Sequence, residues 1–152
     1  MMTRTNRHES WWSTLLVAIA LILAAAGVSA QQTQELTLKL SGEAEVPPAK
    51  TSASGIGTII IGPERAISGM ITTNGMKPTM AHIHEGAEGA NGPIAIPLVR
   101  DPENNWSIPD RTRLTEAQHE ALMAGRLYVN VHSNEFPGGE VRAQLKPGQM
   151  KP

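Results

Sequence analysis

Two short stretches of the chain carry residues whose types and spacing could do chemistry. In Met80-Ala81-His82-Ile83-His84-Glu85-Gly86, the alternation of a strand sends Met80, His82 and His84 to one face. Same-face neighbours on a strand stand about 6.5 Å apart, a gap that two imidazoles can close onto one ion. In Leu127-Tyr128-Val129-Asn130-Val131-His132, Leu127, Val129 and Val131 form an apolar face, and Tyr128, Asn130 and His132 form the other. His82, His84 and His132 thus make a candidate three-imidazole metal site near strand ends. Imidazole suits several first-row ions, so zinc is a candidate; a thioether on the same face, Met80, would turn the choice towards copper. A methionine in such a position is more often core filler than ligand. Glu85 and Glu140 are candidates to orient ring N–H groups, or else solvated strand-end charges.

These residues need strands to hold them, and the sequence supplies a regular set. From Glu35 to Leu40 apolar Leu36, Leu38 and Leu40 alternate with Thr37 and Lys39, the pattern of a half-buried strand. Gly55 to Gly62 and Ala66 to Thr73 read as a hairpin joined by the turn-like Gly62-Pro63-Glu64-Arg65. Met80 to Glu85, Ile94 to Val99, Leu127 to Ser133 and Glu140 to Leu145 follow, separated by Gly, Pro and Asn. Short strands at such intervals predict a sandwich or barrel.

One segment breaks the rhythm. Thr115-Glu116-Ala117-Gln118 is a capping-box sequence opening a helix of about two turns, with Gly125 where a C′ glycine belongs. Leu114, Ala117, Ala121 and Leu122 form its expected apolar stripe, with His119 on the opposite, solvated face.

Composition narrows the function classes. The chain has 152 residues, 3% aromatics and a net charge of −1, which argues against base stacking and gives no pull towards phosphate, so no nucleic-acid partner is expected. With no cysteine, disulfides, thiol nucleophiles and Cys-based zinc sites are excluded. The N-terminus has the layout of a secretory signal peptide: Arg4 and Arg7, an apolar run from Leu15 to Ala26, and the small-residue site Val28-Ser29-Ala30. The competing reading is a retained anchor from Trp11 to Val28, close to the minimum of about 17 residues for a span. The sequence thus divides into a signal peptide over 1–30, one domain over 31–146 and a flexible tail over 147–152. The expected setting is periplasmic or secreted, with no membrane association after cleavage.

The segments Leu40-Ser41-Gly42-Glu43-Ala44-Glu45-Val46-Pro47-Pro48, Ala81-His82-Ile83-His84-Glu85-Gly86 with Gly89-Ala90-Asn91-Gly92-Pro93, Gly125-Arg126-Leu127-Tyr128-Val129-Asn130-Val131-His132, and Phe136-Pro137-Gly138-Gly139-Glu140-Val141-Arg142 resemble the CHRD domain. That domain is named after chordin, and stand-alone exported copies are common in bacteria. The resemblance covers about residues 35 to 146. A second resemblance, in the order strand, hairpin, His-x-His-Glu, long loop and a late strand-end histidine, is to copper/zinc superoxide dismutase, a Greek-key β-sandwich. It implies copper ligation by His82, His84 and His132. The chain has no further histidine in the 86–118 loop to bridge two metals, no zinc-ligand cluster there and no disulfide cysteines, so what this likeness implies is a mononuclear site.

Together these readings predict an all-β fold, a Greek-key β-sandwich of about seven to eight strands with one short helix. The function they favour is an exported metal-binding protein, for copper first, that stores, buffers or passes the ion, and is a binder rather than an enzyme. A metal-free module presenting a loop such as Asp101 to Arg113 to a protein or glycan partner is the alternative. A superoxide dismutase-like copper enzyme is a third.

Overall fold

Leu36, Leu38 and Leu40 all point into the core from the first strand, β1 (Gln34–Ser41), while Thr37 and Lys39 face solvent. The computed structural model describes residues 32–103 and 105–151; the signal-peptide expectation lies outside the described residues. β1 pairs antiparallel along its whole length with β2 (Ser54–Ile61), and β2 with β3 (Ile67–Asn74). The turn between β2 and β3 is a 3₁₀ turn at Pro63–Arg65, in which Glu64 and Arg65 take positive φ.

The chain then crosses to a second leaf with β4 (Pro78–Glu85) and β5 (Ile94–Pro97), and returns to the first with β6 (Val99–Arg100) and β7 (Trp106–Ser107). A helix, α1 (Glu116–Met123), leads to β8 (Leu127–Ser133) and β9 (Val141–Leu145). The ladder runs β5-β4-β8-β9-β1-β2-β3-β7-β6. Its β9–β1 contact is a single rung, Ser41 with Arg142, which divides it into two leaves. Its two ends, β5 and β6, are joined through Leu98, whose N–H donates to the Ala81 carbonyl at 3.0 Å. The result is an all-β, sandwich-like fold. Among the described residues it has nine strands because the segment 94–99 breaks at Leu98 and because two-residue β7 has no periodicity to betray it.

Between the leaves lie Leu36, Leu38, Leu40, Ile59, Ile71, Ile83, Val129, Val131 and Leu145, with Leu122 of the helix. The segment 101–113 is not a free presenting loop, because Trp106 and Ile108 are buried in this core and β7 pairs with both β3 and β6.

Helix α1 is fixed at both ends as the sequence predicts. Thr115 Oγ1 accepts from the Gln118 N–H at 3.1 Å and Gln118 Oε1 accepts from the Thr115 N–H at 2.9 Å, a reciprocal cap worth about 1 kcal/mol. At the other end Gly125 adopts φ +67, and the N–H groups of Gly125 and Arg126 donate to the Leu122 and Ala121 carbonyls. The expected stripe needs correction. Leu114, Ala121 and Leu122 are buried, but Ala117 is exposed and His119 is half-buried. Leu114 precedes the cap, so the inward face is centred on Gln118 and Leu122, one turn apart; Gln118 donates to the Ala95 carbonyl at 3.2 Å. The expected tail also departs from its reading. Pro147–Gln149 form a 3₁₀ turn, and Lys151 exchanges two 2.8 Å backbone hydrogen bonds with Glu35.

Candidate metal centre

β4 and β8 are adjacent and antiparallel, with Met80 opposite His132, His82 opposite Asn130 and His84 opposite Tyr128. All six side chains therefore share one face, the one turned away from the apolar core. The three histidines converge on it. Ring centroids are 5.0 Å apart for His82 and His132, 5.4 Å for His82 and His84, and 6.0 Å for His84 and His132. One nitrogen from each ring lies within 4.8 Å of the other two. His119, on the helix, is not part of this group.

Which nitrogens are free to bind follows from what the others do. A carbonyl oxygen only accepts, so the 3.0 Å contact of His84 Nδ1 with the Gly92 carbonyl is an Nδ1–H donor bond. The same holds for His132 Nδ1 and the Pro137 carbonyl, also at 3.0 Å. Both rings thereby keep a lone pair on Nε2. His132 Nε2 lies 3.1 Å from His82 Nδ1, close to the separation of about 3.3 Å that two nitrogens take on a tetrahedral ion at ordinary bond lengths. His84 Nε2 is inaccessible to solvent and has no hydrogen-bond partner. An isolated buried acceptor is costly, and a bound cation is one partner that would satisfy it.

Electrostatics favour the same form. Burial lowers the pKa of all three imidazoles. His82 is lowered further by the charges of His132 and His84. For His84 the Gly92 bond pulls back upwards while Arg142 lowers it. For His132 the Pro137 bond opposes and His84 adds to the lowering. Neutral imidazole is the ligating state.

Neither carboxylate considered in the sequence orients a ring. Glu85 pairs with Arg126 at 2.8 Å, as strand parity explains: it is odd-numbered and leaves β4 on the other side from His82 and His84. Glu140 shares their face but accepts from Thr51 Oγ1 at 2.7 Å. Backbone carbonyls hold the rings instead. Met80 stands beside the cluster with 48% of its surface exposed, so it is not core filler.

Around the histidines lies a buried polar layer that the sequence did not reveal. β8 is buried along both faces, because segments 42–53 and 86–93 cover its polar side. Tyr128 stacks on His84, with centroids 5.0 Å apart and ring planes 7° from parallel. Asn130 Nδ2 donates to both carboxylate oxygens of Glu45 at 2.8 Å, leaving Asn130 Oδ1 buried without a partner. Desolvation, only partly offset by Arg142 and Asn130, pushes the Glu45 pKa up to about 7. In the sequence Arg142 is marked by its place in the Phe136–Arg142 motif and by alternating, with Gln144, against apolar Val141, Ala143 and Leu145.

Among the described residues no helix is long and apolar enough to cross a membrane. Comparison with curated proteins and with solved structures gives no match. The model of the CHRD domain matches residues 36–145, a span that takes in both leaves of the sandwich, all three clustered histidines and the two segments covering β8. The chain belongs to the CHRD domain family, whose domains occur in extracellular proteins.

Proposed function

We propose that this domain is an exported metal-binding module in which His82, His84 and His132 hold one first-row transition ion for storage, buffering or transfer. The observation that carries the reading is the buried, unpartnered Nε2 of His84 beside two further imidazoles. The Nδ1–H bonds to Gly92 and Pro137 support it, since a metal-binding histidine ordinarily gives its other N–H to a carbonyl or carboxylate. Copper is favoured because Met80, a thioether residue, is the cross-strand partner of His132 on the same face. Zinc fits the same three nitrogens with an open fourth position and is the second candidate. Elemental analysis of protein purified from its own exported compartment, without added metal or chelator, tests the reading. About one equivalent of copper or zinc supports it, and metal-free protein that also fails to take up either ion overturns it. The intact mass of the same preparation tests export by cleavage: a chain starting at Gln31 is expected, and a membrane-bound species retaining Trp11 and Trp12 would contradict it.

A further inference from the structure

The segment 86–93 leaves β4 and returns as β5, so both its ends are fixed by strand pairing. Its middle folds back over β8 and β9 as a strap, and Arg142 holds it there. Arg142 is 1% exposed. Its Nη2 donates to the carbonyls of Ala87 and Ala90 at 3.2 and 2.9 Å and to Gln144 Oε1 at 3.2 Å, while Nη1 donates to Asn91 Oδ1 at 3.3 Å. A buried guanidinium is tolerated when its fork of donors is used in this way, and an ammonium cannot reproduce that fork.

Two paths lead from Arg142 to His84. Through the backbone, the strap it grips ends in Gly92, whose carbonyl takes the Nδ1–H of His84. Through side chains, its Cζ lies 3.5 Å from the centroid of the Tyr128 ring. Because β4 and β9 flank β8, Tyr128 is held between Arg142 and His84. The Tyr128 hydroxyl closes the loop by accepting the Gly92 N–H at 3.1 Å.

We propose that Arg142 is the positioning residue of the histidine cluster: by clamping the strap and Tyr128 it fixes His84 as the Nδ1–H tautomer, leaving Nε2 free to bind. This rests on the metal-site reading for its purpose, but it describes a property of the metal-free protein. His132 is a built-in control, since its Nδ1–H goes to Pro137, outside the strap.

The test is the imidazole nitrogen spectrum of ¹⁵N-histidine-labelled, metal-free protein at about pH 8, where these rings are neutral. In the wild type both His84 and His132 should be Nδ1–H. In Arg142→Lys the ratio of Nδ1–H to Nε2–H at His84 should fall about fivefold, the factor set by one net hydrogen bond, with His132 unchanged. Tyr128→Phe keeps the stacked ring and removes only the hydroxyl, so it should show a smaller shift of the same kind, and it carries the test alone if Arg142→Lys does not fold. A structural role would lower stability without moving one tautomer selectively. In the metal arm, Cu(II) affinity should drop by about tenfold to a hundredfold. If His84 stays fully Nδ1–H in the folded variants, or if both histidines change alike, the positioning role is wrong. If the tautomer responds as expected but the wild type binds no ion, the latch stands and the metal reading falls.

Discussion

His82 Nδ1 and His132 Nε2, fifty residues apart in the chain, lie 3.1 Å from each other across two paired strands. At that distance the two nitrogens share either one proton or one ion. Since His132 already spends its Nδ1–H on Pro137, the proton of the metal-free pair belongs to His82, and an ion held between these two nitrogens would have to displace it.

His82→Ala, His84→Ala and His132→Ala should therefore each weaken copper binding by about a hundredfold or more, beyond the loss typical of removing an outer hydrogen-bond partner. His119→Ala, outside the cluster, should bind as the wild type does. A copper-competition titration of the four variants decides this, and an equal loss in His119→Ala would refute the assignment. Met80→Leu preserves volume, so a selective loss of Cu(I) affinity would assign the thioether a ligand role.

Metal should also stabilise the fold. An ion bound only by the native state at a hundredfold excess over Kd adds about 2.7 kcal/mol, which for a domain of this size raises Tm by about 10 °C. Scanning calorimetry with and without Cu(II) and Zn(II) measures it. An unchanged midpoint with both ions would exclude tight binding.

The pH dependence has two opposed contributions. The three imidazoles have folded-state pKa values below their ordinary value of 6.5, so the unfolded chain binds protons first. Stability of the metal-free protein from this source is complete above pH 6.5 and declines as pH falls through the lowered values. Glu45 acts the other way. With its pKa raised from 4.5 to about 7, the folded state binds the extra proton, and stability is lost as pH rises through that window. Glu45→Gln removes the second contribution alone, so its stability advantage over wild type should grow from pH 5 to pH 8. Urea unfolding of both proteins at the two pH values reads the difference, and a constant gap would show that Glu45 does not titrate there.

Gly92 lies against β4 so closely that a Cβ would collide with the Glu85 carbonyl oxygen and carbon. Gly92→Ala should displace the strap, cost about 1–3 kcal/mol as an overpacked site, and weaken metal binding through the lost acceptor of His84. Denaturant unfolding and copper titration check the two effects. Full stability with full affinity would mean that the strap relaxes freely.

The part of this site that could be read from residue order is the part written in side-chain alternation. The inward Leu36, Leu38 and Leu40 and the separate faces of β4 and β8 follow from a period of two, whereas the pairing of β4 with β8 that brings the histidines together is set by topology. The ring-orienting groups were not legible because Gly92 and Pro137 act through backbone carbonyls, which every residue possesses. Polar alternation on β8 marks a second face but not what covers it; that Glu45, Thr51 and the strap do so depends on where distant segments fold back. Trp106–Ser107 is too short to show a period, and the pairing of Lys151 with Glu35 is main-chain only.

The junction at Leu98 has one more consequence. A long unpaired strand edge is a template on which another chain can add, and exposed edges of this kind seed aggregation. Here both ends of the ladder are short, four residues in β5 and two in β6. Leu98 is buried with its own N–H already given to Ala81, and Pro97 has no N–H to offer. The two terminal strands are thus too short, and too sharply bent at Leu98, to offer neighbouring copies a long edge to extend.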